Sequence, residues 1–133
     1  MMRDPMGPVH TPANAVPPLD DELAGLLDDT AGVHAGIDLI RQGLHLLALD
    51  RLTTDQTQTV LHVLADDDGL DILTGIALLV QRLTDPDTNP ALRSLPLALQ
   101  KTVRHLGEQH GHETSYLNRQ PLADAIGLID QDT

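Results

Sequence analysis

A stretch near the middle of the chain, GLDILTGIALLVQRL from Gly69 to Leu83, is its densest apolar run and the part that the rest must pack around. On a helical wheel of roughly 100° per residue, Ile72, Leu73, Ile76, Leu79, Val80 and Leu83 share one face, while Asp71, Thr74, Gln81 and Arg82 fall on the other. So wide an apolar arc needs several neighbours to cover it, so the run is expected to form the central helix of a small bundle. Elsewhere aliphatic residues recur every three or four places, and no alternating run or hairpin dipeptide between apolar runs signals a strand. The expected fold is all-α: a small bundle of about five helices in a single domain over residues 19–133. It follows a disordered tail at 1–18, where Pro5, Pro8, Pro12, Pro17 and Pro18 remove amide donors and resist helix and strand alike.

The core of such a bundle is unusual in what it lacks. There is no Phe, Trp or Cys, Tyr116 is the sole aromatic, and all three Met fall within the first six residues. The interior is therefore expected to be aromatic-free and Leu-rich, a composition that favours helices but specifies packing less sharply than aromatic anchors do. Without cysteine there are no disulfides and no thiolate metal ligands. No apolar run approaches the ~18 residues of a membrane span, and the N-terminus carries no apolar signal core. The expected location is cytoplasmic, with no membrane contact.

The formal net charge is −12, and 15 of the 20 acidic residues lie at or before Asn89. Direct nucleic-acid binding, which needs clustered Lys and Arg against phosphates, is not expected. An acidic surface favours solubility and basic partners.

Taken in order, Leu26, Val33, Ile37, Ile40, Leu44 and Leu47 mark a helical stripe between Leu19 and Leu52. Gly25, Gly32, Gly36 and Gly43 would fall along one line if that helix were continuous, forming a groove for close helix approach and a dimer seam. The favoured reading breaks the segment near Asp29, with Asp28, Asp29 and Thr30 supplying an N-cap for a longer second helix. Thr53 and Gln56 have the spacing of a capping box, and Val60, Leu61 and Leu64 form the apolar side of the helix that follows. Asn89 followed by Pro90 is a helix start, and Pro96 makes Ala91 to Ser94 a short turn before the next main helix. From Pro90 onward Leu92, Leu95, Leu99, Val103 and Leu106 are expected to form one apolar face, opposite a basic stripe of Arg93, Gln100, Lys101 and Arg104. Gly107 is expected to end the main helix and Gln109 to Thr114 to form a loop, before a last helix opened by Pro121 with Leu122, Ile126 and Ile129 facing inward.

Few residues suggest chemistry. HLGEQHGHE supplies His105, Glu108, His110, His112 and Glu113 as nitrogen and oxygen ligands for Zn²⁺ or Ni²⁺. The three histidines are the metal candidates, although five- and two-residue spacings interrupted by glycine suit chelation poorly. Asp85, Asp87 and Asn89 open like a calcium loop, then fail at Pro90, where Gly is needed, and at Pro96, where a bidentate Glu is needed. The only serines, Ser94 and Ser115, lie in no nucleophile elbow. No catalytic motif and no cofactor motif stands out.

The favoured site is a docking surface. Leu78 falls on the polar face of the central helix near Arg82, and Leu97 on the basic face with Arg93, Lys101 and Arg104. An apolar residue framed by charge is how an interface centre with a polar rim looks. The leading expectation is a non-enzymatic acidic helical protein that acts through protein–protein interaction and self-associates into a homo-oligomer. One alternative is an acidic protein that occupies a basic, nucleic-acid-binding surface of a partner. Another is a metal-dependent enzyme or carrier using His105 to Glu113.

Overall fold

The computed structural model describes residues 15–67 and 69–131. Most of the expected N-terminal tail lies outside the described residues; 15–20 carry no regular structure. The described residues form six α-helices and one 3₁₀ turn, with no strand. Contacts group the helices into two units, 1–52 and 53–133.

The first unit holds α1 (Asp21–Asp29) and α2 (Ala35–Leu49). The helix breaks just after Asp29, as the favoured reading expects, so the unbroken glycine groove does not form. Gly32 sits in the connecting turn with φ +75°, a conformation that glycine adopts without strain. A Cβ at Gly25 or Gly43 would meet nothing within 4 Å. The cap differs from expectation. α2 starts four residues beyond Ala31, and its N-cap is His34, whose Nδ1 accepts from the Gly36 amide at 2.8 Å. Asp38 and Arg41 hold the turn together. The Asp38 carboxylate accepts from the Gly32 amide at 3.0 Å and from Arg41 Nη1 at 3.2 Å, while Arg41 Nε donates to the Leu27 carbonyl. Arg41 thereby supplies a donor to a carbonyl in the last turn of α1, the end where cations are favoured. Leu27 is the buried apolar side chain of this unit.

The second unit holds α3 (Thr54–Ala65), α4 (Ile72–Leu83), a 3₁₀ turn (Pro90–Ser94), α5 (Leu97–Ser115) and α6 (Gln120–Gln131). α4 packs most extensively on α5, and α3 packs on α6 and on α4. The expected capping box is present: Thr53 Oγ1 accepts from the Gln56 amide at 3.1 Å, and Gln56 Oε1 accepts from the Thr53 amide at 2.9 Å. Removing it in Thr53→Ala is expected to lower stability by about 1 kcal/mol, read as a fall in the urea midpoint with an unchanged m-value. Asn89 and Pro90 open the 3₁₀ turn as expected, and Gln58 reaches from α3 to the Ile126 carbonyl of α6 at 3.2 Å.

Two expectations for the C-terminal half of α5 are overturned. Gly107 does not end α5, and Gln109 to Thr114 is not a loop: the helix runs on to Ser115, with Gly107 and Gly111 in its interior. Both glycines lie where α4 comes closest. A Cβ at Gly107 would fall 1.8 Å from Thr84 Oγ1, and one at Gly111 would fall 1.7 Å from Gln81 Nε2. Each glycine disfavours the helix by about 1 kcal/mol against Ala, but packing against α4 outweighs that. Gly107 beside Thr84 and Gly111 beside Gln81 also make α4 and α5 antiparallel. The glycine edge, rather than the leucine face, is therefore what α5 turns toward α4. Gln100, Val103 and Arg104 lie beside that edge, while Leu99 and Leu106 are left exposed.

Candidate docking surface and the groups that hold it

Asp71 organises one end of the second unit. It is not a surface residue of α4 but its N-cap, and it is buried. One carboxylate oxygen accepts from the Thr74 amide at 2.8 Å and the Thr74 hydroxyl at 2.6 Å. The other accepts from Arg119 Nε at 3.0 Å and the Asp67 amide at 3.3 Å. Burial by itself would raise this carboxyl, but the hydrogen bonds from Thr74 and Arg119 and the guanidinium charge outweigh it and hold the group well below the usual carboxylate range. Asp71 thus ties the α3–α4 connection, the start of α4 and the α5–α6 connection to one point.

The other end is held by arginines. Arg104 pairs with Asp85 at 3.1 Å and Asp87 at 3.2 Å, and Arg93 donates to the carbonyls of Pro86 at 2.9 Å and Asp87 at 3.2 Å. Thr88 Oγ1 and Asn89 Nδ2 donate back to the Arg82 and Leu83 carbonyls, closing the end of α4. Two members of the basic stripe thus secure the α4–α5 connection, while Lys101 and Arg82 remain exposed. Leu78 and Leu97 are exposed as expected, Leu97 to 75%.

The larger apolar feature lies elsewhere. α4 turns Ala77, Gln81 and Thr84 toward its neighbours, with Leu73 and Val80 half-buried beside them. Ile72, Ile76, Leu79 and Leu83, expected in the core, are left 45–52% exposed. Their 4-3-4 spacing is that of a coiled-coil seam. On α5, Leu99 and Leu106 are likewise about half exposed. On each helix the exposed stripe lies roughly a third of a turn from the edge that meets the other, in the same rotational sense. In antiparallel helices that geometry places both stripes on one side of the pair. The chemistry of this side is apolar contact. Gly75 lies at the outer margin of the α4 stripe, next to Arg82, with nothing near the position of a Cβ.

The metal candidates do not gather. In a continuous α5, His105 and His112 fall on one face, seven residues apart, and His110 falls well away from both. His112 instead stacks edge-on against Tyr116, with centroids 4.7 Å apart. Among the described residues no three His, Cys, Asp or Glu side chains are placed to hold an ion. A cleft of about 620 Å³ in the first unit is lined by Leu19, Leu27, Arg41, His45 and Leu46, among others. The Arg41 guanidinium there is already committed to Leu27 and Asp38.

No protein-family model matches the chain, and no curated protein or solved structure matches it. Among the described residues no helix is long and apolar enough to cross a membrane.

Sequence reasoning missed the exposed stripe because a wheel assigns residues to a common face without saying which face the neighbours cover. The signal that could have found it was in α5: Gly107 and Gly111, four residues apart, are an edge for close helix approach.

Proposed function

We propose that the protein is a non-enzymatic helical interaction protein of the cytoplasm that works by self-association. One observation carries the reading. Among the described residues Leu27 and Ala77 are the buried hydrophobic side chains, whereas nineteen large hydrophobic side chains are exposed. Single exposed leucines are ordinary, but apolar stripes repeated along helices mark surfaces that a partner covers. The formal charge of −12 fits a chain kept soluble despite such stripes. Light scattering or sedimentation equilibrium on the purified full chain is expected to give at least twice the 14.4 kDa chain mass at low micromolar concentration. A monomer that persists to high micromolar concentration overturns the reading.

A second reading, occupation of a basic surface on another protein, draws on Asp20, Asp21, Glu22, Asp28 and Asp29. All five are exposed on or beside α1, which carries no basic residue. Binding of that kind weakens as salt shortens the Debye length to about 8 Å at 0.15 M; complex formation that is unchanged between low and high salt excludes it.

A further inference from the structure

The exposed side of the α4–α5 pair is specific enough to name its occupant. We infer that two copies of the chain dock through this side, with the Ile72, Ile76, Leu79 and Leu83 stripe of one protomer against the same stripe of its partner. The inference rests on the self-association reading and adds the surface to it.

Three observations select a second copy over another occupant. The first is spacing. A 4-3-4 aliphatic stripe is half of a helix–helix seam, and its best complement is a helix with the same stripe, which a two-fold axis supplies. Gly75, open at the margin of the stripe beside Leu79, leaves room there for a partner side chain. The second is area. Ile72, Ile76, Leu79 and Leu83 are 45–52% exposed, and Leu106 of α5, 57% exposed and level with Leu83, extends the stripe; half-exposed side chains of this size together amount to roughly a few hundred Å². Patches of that scale mark interfaces, and such an area supplies much of the apolar share of the ~800 Å² that a standard interface buries per partner. The third is charge. On a chain of net charge −12, the α4 stripe itself carries no charged side chain, and Arg82 is the only charge on the exposed arc of α4. A basic partner would be drawn to the acidic surface instead. A like-charged copy can approach most easily where charge is sparse; the α4 stripe meets that requirement, while on α5 the same side carries the exposed His110 and Glu113.

The contact therefore has an unusual salt response. Repulsion between two acidic copies is screened as salt rises, while the apolar seam is not weakened, so dimerisation is expected to tighten between 50 and 500 mM NaCl.

The test uses the full chain throughout. Ile76→Glu places a charge in the seam and is expected to weaken dimerisation by about a hundredfold or more in sedimentation equilibrium, with far-UV circular dichroism unchanged because Ile76 is not part of the buried core. Leu39→Glu, on α2 at a 67% exposed position, is expected to leave dimerisation unchanged. Ile76→Lys is expected to be monomeric alone and to form a heterodimer when mixed with Ile76→Glu. A folded Ile76→Glu chain that dimerises like the wild type overturns the proposed seam while leaving self-association in place. A wild-type monomer overturns both. A dimer abolished by Leu39→Glu but not by Ile76→Glu moves the contact to α2 and also overturns the seam.

Discussion

Asp71→Asn is expected to destabilise the second unit by about 3–5 kcal/mol, the range for breaking one side of a buried ion pair. The substitution keeps an oxygen to accept from the Thr74 amide, so the cap partly survives. What it loses is the carboxylate charge facing Arg119, whose side chain is only 11% exposed and whose Nε lies 3.0 Å from the carboxylate. The urea midpoint measures the loss. Acid makes the same point without a mutation. The Asp71 carboxyl is held well below its ordinary range in the folded protein. Its contribution is therefore fully present above the unfolded-state value of about 3.9 and is lost as pH falls below that toward the folded value. Stability of the wild type should drop on acidification below about pH 4. Asp71→Asn should show a shallower drop over the same interval. Parallel pH profiles for the two proteins would show that this carboxylate is not the group responsible.

The second large effect is a contrast between two glycines on one helix. Gly107→Ala and Gly111→Ala each gain about 1 kcal/mol in helix propensity. At Gly107 the new methyl would meet the Thr84 side chain, with its Cβ at 2.7 Å. Thr84 is the C-cap of α4, and its hydroxyl donates to the Val80 carbonyl at 2.8 Å, so it has little freedom to move. Overpacking of this kind costs about 1–3 kcal/mol or more, and Gly107→Ala is expected to be net destabilising. At Gly111 the obstacle is the end of the Gln81 side chain, which can swing away. Gly111→Ala is expected to be neutral or stabilising. Thr84→Gly should recover much of the loss in the Gly107→Ala background, as a double-mutant cycle would register. Equal effects at the two positions would mean that α4 does not press on α5 at Thr84.

Much of the local structure can be read from the residues, because caps and breaks are encoded within a few positions. Thr53 with Gln56 and Asn89 with Pro90 fall where their side-chain chemistry puts them, and the break after Asp29 is in place although His34, not Asp28 to Thr30, caps the helix that follows. The orientation of the helices was not legible in the same way. Asp71 reads as a polar-face residue until Arg119, 48 positions away, closes on it. Gly107 and Gly111 read as stops because glycine ends helices in isolation, and only the approach of α4 gives them another use. The same reversal exposes Leu99 and Leu106: once the glycine edge faces α4, the leucines of α5 must turn aside. The interface residues Gly32, Gly36 and Gly43 depended on a continuous helix, and the turn at Gly32 removes that condition.

The edge-on pair of His112 and Tyr116 gives the molecule a built-in reporter. Tyr116 is the only fluorophore in the chain, and it sits at the end of α5. Its emission reports on the end of α5 in the second unit, whereas far-UV ellipticity sums the helices of both. Melting curves recorded by the two signals should coincide if residues 1–52 and 53–133 unfold together and separate if they do not. The scarcity of aromatic residues that leaves the core without rigid anchors thus also gives the molecule a single optical label, carried by the second unit.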